Sequence, residues 1–394
     1  MNRVVHSQRA PMRRLQPLIR CSVVLACAAL LGCADWLTGP HAHDVAVLWR
    51  HAIDWQGASP SIGDPGADAH AAYIETAMGV EAFEPAFGAT LWNTVLNTSP
   101  HTPTARALIQ VNGTVYAPRE GSVIALDARS GAVRWRAALD SARGGARAAA
   151  DDRAIYVAAR DNRLHALAAT DGHELWVADV GATAWAPYGG FMTGTAVSGD
   201  TVYASGTHWE RQYGGVSTGV IVALDRNTGA ELWRYETPDS ADDVMSMAVD
   251  GRIIVANDLY GTRILGIDRF TGREAWRVDG DMQYFGASEA PAILGDTAYI
   301  GSNDTNVYAI VASTGRLLWR TNVGGSISGF ALCGGRVVAT LFEFVILDRH
   351  SGQRLATLLD GDTEFPVGGV AAAGGRAFAA GAHAAYGIQC DRLQ

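Results

Sequence analysis

The sequence predicts an all-β fold, an eight-bladed β-propeller of four-stranded blades, on three observations. A glycine followed four residues later by tryptophan recurs from end to end, the recurrences lie about 43 residues apart, and a lone strand at the front matches a unit at the back that lacks one. The pairs are Gly88/Trp92, Gly131/Trp135, Gly172/Trp176, Gly229/Trp233, Gly272/Trp276 and Gly315/Trp319, with a degenerate copy at Gly352/Ala356. Trp49 sits in a Leu-Trp-Arg triplet shared with two of these copies. The successive anchors at 49, 92, 135, 176, 233, 276, 319 and 356 are 43, 43, 41, 57, 43, 43 and 37 residues apart.

Each copy reads as strand, turn, strand. In Ala223 to Trp233 the β-branched run Ile221 to Leu224 leads into Asp225, whose carboxylate is able to accept the amides of the next turn. Gly229 closes that turn because it adopts φ > 0 without a Cβ clash, and Glu231-Leu232-Trp233 returns as the partner strand. The tryptophan supplies a large apolar surface for the neighbouring unit, so the repeated tryptophans read as structural anchors and not as ligand-stacking groups.

A whole unit is clearest from Glu289 to Thr321, with strands predicted at Glu289–Leu294, Thr297–Gly301, Asn306–Val311 and Arg316–Thr321. At the front, Gln56 to His70 reads as turn-rich loop, followed by strands at Ala72–Glu75 and Gly79–Phe83. The last unit offers three strands, Val367–Ala372, Arg376–Ala380 and Ala384–Gln389, and Val45–Arg50 is the strand that completes it. Pairing the N-terminal strand with the C-terminal blade closes the ring and removes the sheet edge that a linear array would expose.

Residues 1–32 read as an export signal. Arg13, Arg14 and Arg20 form a basic region, and Cys21 to Leu31 is apolar except for Ser22, too short to span a bilayer. Met12 is a second candidate start. Leu30-Leu31-Gly32-Cys33 resembles the lipobox of bacterial lipoproteins, which implies acylation of Cys33; an ordinary secretory signal with an incidental cysteine is the other reading. Ala34 follows the cysteine where an inner-membrane retention signal usually has aspartate, so the resemblance favours the periplasmic face of the outer membrane over a secreted or periplasmic protein. The domain organisation expected is therefore signal peptide 1–32, tether 33–44, propeller 45–390 and tail 391–394. His41 and His43 in the tether have no acid or cysteine at ligand spacing and read as solvated linker.

Composition narrows the function. The chain has no lysine; five of its 31 arginines lie in residues 1–32, leaving 26 against 40 acids, a formal charge of −14. That balance argues against nucleic acid, and the absence of lysine removes Schiff-base chemistry and the Walker-type phosphate lysine. Beyond Cys33 only Cys333 and Cys390 remain; in an oxidising compartment they form a disulfide or stay as two buried thiols, and the sequence leaves both open.

Ala125 to Gly131 with Trp135, Ala223 to Trp233, and Asp268 to Gly272 with Trp276 resemble the A-x-D-x-x-T-G-x-x-x-W repeat of the pyrroloquinoline-quinone (PQQ)-like propellers. The resemblance covers residues 45–390 and is specific for the fold; the family includes both quinoprotein dehydrogenases and lipoproteins without a cofactor. An exported, lipid-anchored, eight-bladed member is similar to the BamB-like lipoproteins of outer-membrane barrel assembly. That implies a non-enzymatic scaffold with protein partners at the outer membrane, the barrel-assembly machinery among them.

Two alternatives are a quinoprotein oxidoreductase, holding PQQ with Ca²⁺, and a periplasmic small-ligand-binding propeller. Family dehydrogenases are similar in using acidic and amide Ca²⁺ ligands, an aspartate base and usually a vicinal Cys-Cys ring. This sequence has no adjacent cysteines, no C-x-x-C-H and no long inserted segments, so no catalytic residue, metal site or cofactor is assigned.

The resemblance also implies that the Thr-Gly turns lie on the bottom, which puts the loops between second and third strands, and between blades, on the opposite rim. The longest, Gly206 to Gly219, carries His208, Trp209, Arg211 and Tyr213; interblade loops add Trp185, Tyr188, Phe191, Tyr284 and Phe285. Aromatics with an arginine on one rim make a candidate binding surface, or else plug the channel and pack the insertion. Asp279, Asp281, Glu289, Asp304 and Glu343 on the same rim are candidate cation ligands or bases, or solvated loop carboxylates; Asp279-Gly280-Asp281 lacks the rest of a calcium loop.

Overall fold

A computed structural model describes residues 47–54, 64–98, 108–119, 121–139, 148–159, 163–180, 192–210, 216–238, 244–258, 263–279, 290–302, 304–341, 343–358, 369–381 and 384–390. They form eight four-stranded antiparallel sheets arranged as an eight-bladed β-propeller, without a helix among the described residues. Blade 1 comprises Gly66–Ala67, Ala72–Glu75, Gly79–Phe83 and Thr90–Val95. Blade 2 runs from Ile109 to Ala138, blade 3 from Ala149 to Asp179, blade 4 from Met192 to Glu236, blade 5 from Val244 to Asp279, blade 6 from Ala292 to Asn322 and blade 7 from Gly329 to Leu358. Blade 8 is Val370–Ala373, Arg376–Ala380 and Ala384–Gln389, with Val47–Ala52 as its fourth strand. The closing pairs include Val47↔Ile388 and Arg50↔Tyr386.

First strands of neighbouring blades touch one another, second and third strands are buried, and fourth strands are exposed on one face. The core therefore lies between blades. It is divided into clusters that each join two neighbours, such as Tyr156, Leu164 and Trp176 of blade 3 with Val202, Val222 and Leu224 of blade 4.

The repeated motif is the device that joins them. Every anchor tryptophan donates its indole N–H to a turn carbonyl of the following blade: Trp49 to Pro85, Trp92 to Ala128, Trp135 to Ala169, Trp176 to Arg226, Trp233 to Arg269, Trp276 to Ala312 and Trp319 to Arg349, at 2.8–3.1 Å. Its ring lies on the glycine of that turn. At Gly131, φ is +72°, and a Cβ there would stand 2.6 Å from the Trp92 ring, so the position needs glycine for two independent reasons. The turn aspartates act as expected: Asp225 Oδ1 accepts the N–H groups of Asn227 and Thr228 and the Thr228 hydroxyl, and Asp127, Asp268 and Asp348 repeat the pattern.

The tryptophan also needs a small residue beneath it on the third strand. Ala82, Ala125, Ala166, Ala223, Gly266, Ala309 and Gly387 pair with the seven anchors. In blade 7 the sizes are exchanged, with Ile346 opposite Ala356. The reason lies in the next blade. Blade 8 is closed by Val47–Ala52, a separate stretch of chain, so it has no third-to-fourth-strand turn to receive a ring from blade 7. A second aromatic repeat was overlooked in the sequence. Tyr73, Tyr116, Tyr156, Tyr203 and Tyr299 on second strands meet the tryptophan of their own blade with ring centroids 5.8–6.1 Å apart.

Several expected boundaries move. The loop read across residues 56–70 contains Gly66–Ala67, the first strand of blade 1, too short for a periodic signal. The first strand of blade 6 is Ala292–Leu294 where Glu289–Leu294 was expected, that of blade 8 is Val370–Ala373, and the closing strand is shifted to Val47–Ala52.

Candidate functional site: a projecting ribbon and the blade junctions

Of the aromatic rim, Trp185, Tyr188, Phe191, Arg211, Tyr213, Tyr284 and Phe285 lie outside the described residues, as do Asp281, Glu289, His41, His43, Cys33 and the whole signal segment. The Gly206 to Gly219 stretch is corrected from a loop to a hairpin. Strands Thr201–Glu210 and Val216–Asp225 stay in register through Thr207↔Gly219, His208↔Thr218, Trp209↔Ser217 and Glu210↔Val216. The flanking strands stop short, since Met192 pairs with Gly206 and Glu236 pairs with Val220. Among the described residues, positions 207–210 and 216–218 therefore form a two-stranded ribbon that extends beyond its sheet and includes His208 and Trp209, while Gly219 at its base is held by the Thr237 N–H at 2.9 Å. The glycines hid this: Thr207, Trp209, Val216, Thr218 and Val220 are strand formers, but Gly214-Gly215 and Gly219 read as loop.

The rim acids do not converge. Asp279 pairs with Arg263 at 3.2 Å, while Asp304 accepts the Asn306 N–H and the Tyr308 hydroxyl. Asp304, together with burial, raises the Tyr308 pKa, burial being the larger cause. Among the described residues no group of three or more His, Cys, Asp or Glu is placed to share a cation.

One charged pair that sequence reading did not single out is buried where blades 1 and 2 meet. Arg119 Nη2 lies 2.6 Å from Glu75 Oε1, both almost fully buried, and Arg119 Nη1 donates to Asn97 Oδ1 at 2.6 Å. Each ends the second strand of its blade, so neither residue's type was set by the repeat.

A second set of junction contacts recurs at the turn-bearing end. The residue after the third strand donates its N–H to the first hairpin of its own blade: Ala128 to Gly113, Arg226 to Asp200, Arg269 to Arg252 and Cys390 to Gly375. Its side chain faces the first hairpin of the preceding blade. Between blades 3 and 4, Arg226 Nη1 meets Asp151 Oδ2 at 3.1 Å. Between blades 4 and 5, Arg269 Nη1 donates to Ser198 Oγ at 2.5 Å. Between blades 7 and 8 the same two positions are Cys333 and Cys390, joined as a disulfide. The disulfide thus stands at the junction that lacks an anchor tryptophan. It links residues 57 apart in sequence, unlike a vicinal cysteine ring.

This ring, with an indole of each anchored blade laid on the turn glycine of the next, defines a PQQ-like repeat propeller. The profile of the family described as outer membrane protein assembly factor BamB matches residues 76–208 and 160–353, and the chain belongs to that family. It is similar in fold to the crystal structure of BamB from Moraxella catarrhalis, with TM-score 0.62 and 20% identity, covering 88% of this chain and 99% of that one. Curated relatives are a serine/threonine-protein kinase AfsK of Streptomyces griseus, 27% identical over 48% of this chain and 22% of its own length, and quinohemoprotein alcohol dehydrogenase ADH IIB of Pseudomonas putida, 31% identical over 43% of this chain and 26% of its own. The chain thus spans about a quarter of the length of the curated relatives it matches.

Proposed function

We propose that this protein is a non-enzymatic scaffold, anchored by lipid at Cys33 to the periplasmic face of the outer membrane, which holds protein partners of barrel assembly through its loop rim. Membership of the BamB family supports the class of function. The observation that carries the site is the blade 4 ribbon. Its length is not needed to complete the blade, and beyond Gly219, which is bonded to Thr237, its three outermost residue pairs face one another across the ribbon. Such a ribbon offers backbone strand edges to a second polypeptide. Photo-cross-linkers placed at Trp209 and Tyr284 in cells are expected to capture an outer-membrane barrel-assembly component. Capture of nothing at either position removes this reading of the rim.

The second reading, PQQ binding with Ca²⁺, is favoured by the identity shared with the alcohol dehydrogenase. Titration of PQQ and Ca²⁺ into the purified protein tests it: a saturable absorbance change supports a quinone site, and a flat titration rejects it.

A further inference from the structure

At the junction of blades 1 and 2 the cross-link position keeps its carboxylate but not the cation. Between blades 1 and 2 the two residues are Asp68 and Ala128. Asp68 is built like Asp151. Its Oδ1 accepts the N–H groups of His70 at 2.6 Å and Ala71 at 2.9 Å, and its Oδ2 accepts the Tyr73 hydroxyl at 3.0 Å. Asp151 Oδ1 accepts the N–H groups of Arg153 and Ala154, both at 2.9 Å, and its Oδ2 accepts the Tyr156 hydroxyl at 3.1 Å. The difference is the cation. Asp151 Oδ2 also receives the guanidinium of Arg226, whereas the residue equivalent to Arg226 at the first junction is Ala128.

Space replaces the missing side chain. A cavity of about 670 Å³ opens there, lined by Asp68, His70, Tyr73, Leu91, Gln110, Asp127, Ala128, Arg129 and Arg134 among others. Two of its charges are already spent on each other, Asp127 Oδ2 accepting from Arg134 Nη2 at 2.7 Å, while Arg134 Nη1 donates to Thr114 at 2.5 Å. Arg129 is exposed, and among the described residues no guanidinium contacts Asp68. What remains is a carboxylate held rigid by three hydrogen bonds, with the exposed Leu91 in the same cavity to pack an aliphatic stem.

We propose that this cavity binds a guanidinium group from outside the chain, with Asp68 Oδ2 receiving it as Asp151 Oδ2 receives Arg226. The group is an arginine side chain of a partner polypeptide or a free arginine-like ligand, the chemistry being shared. Guanidinium fits better than ammonium because a planar fork matches a carboxylate fixed in one orientation. The inference does not depend on the outer-membrane role.

The test is an amide-detected NMR titration of the full chain with Gly-Arg-Gly and, separately, with free L-arginine. Saturable shifts are expected at His70, Ala71 and Ala128, with binding about tenfold weaker in Asp68→Asn and for a citrulline-containing tripeptide. Ala128→Arg fills the cavity from within, so it should abolish the shifts and raise the thermal midpoint. Arg226→Ala creates a second cavity of the same kind, and the amides of Arg153 and Ala154 should then respond. Tighter binding of the tripeptide assigns a polypeptide source, and equal or tighter binding of free arginine assigns a small ligand. No saturable shift in the natural protein with either probe, or binding undiminished in Ala128→Arg, overturns the proposal.

Discussion

At the scale of single residues, the turn glycines and the indoles above them define the fold's tolerance. Gly131→Ala combines a left-handed backbone with a contact 2.6 Å from the Trp92 ring, and should lower stability by about 3 kcal/mol in urea unfolding. Trp135→Phe keeps an aromatic ring but leaves the Ala169 carbonyl without its donor, a loss of about 1–2 kcal/mol in the same measurement. These positions were legible in the sequence because tryptophan is rare and stands at a fixed distance from a position that only glycine can fill. Ala125 and its equivalents were visible too, as the first letter of the repeat, although their purpose became clear only when the indole was seen to lie across them. The exchange of sizes at Ile346 and Ala356 was not legible, since it depends on the neighbouring blade being closed by a distant strand. Asp68 and Asp151, Ser198, and Cys333 share a structural position but carry three different chemistries, so no sequence pattern joins them.

At the scale of the element, the turns set the response to pH. Asp127, Asp225, Asp268 and Asp348 all titrate below the ordinary aspartate value of 3.8. The Arg134 guanidinium is the largest cause at Asp127, the Thr228 hydroxyl at Asp225 and the Ser351 amide at Asp348; at Asp268 burial opposes a shift that Thr271 and Phe270 nonetheless carry downward. A carboxyl whose folded pKa is depressed adds stability above its unfolded value and loses it as pH falls through the folded one. The tyrosines of the second strands are displaced the other way, burial pushing Tyr73, Tyr116, Tyr156, Tyr203 and Tyr299 above 10.0. Their contribution is present below pH 10 and fades as pH rises through the folded values. Unfolding free energy measured against pH should therefore be level from about 5 to 9 and fall beyond both sides, and Asp127→Asn should flatten the acid limb.

The blade 4 ribbon belongs to the same scale. Replacing residues 207–218 by an Asn-Gly turn should change stability by less than about 1 kcal/mol, because among the described residues the ladder of this stretch runs only across the ribbon, while removing the cross-links expected at Trp209. The extra length was legible as an insertion from the spacing of 57 residues. Its form was not, because its glycines mask a strand whose partners are local.

At the scale of the whole molecule, the two junctions on either side of the closing blade are fastened by different chemistry. Trp49 reaches forward to Pro85 and Gly88 in blade 1, and the Cys333–Cys390 bond reaches back to blade 7. Cys333→Ser with Cys390→Ser should cost about 4 kcal/mol on the chain-entropy account, and hydrogen exchange should accelerate first in Val370–Ala373, Arg376–Ala380, Ala384–Gln389 and Val47–Ala52. Acceleration spread evenly over all eight blades would show that the bond does not guard this seam.

The pairing of Val47–Ala52 with Ala384–Gln389 also has a consequence in time. During synthesis the first of these strands emerges before any of the blades, and its hydrogen-bonding partner emerges after seven of them. Seven blades can assemble from near neighbours, each on the last, while Trp49 and an open sheet edge wait for a contact of very high sequence separation. Closure is then the slow step, and the interval before it is when the chain is most exposed to wrong pairing with another copy of itself.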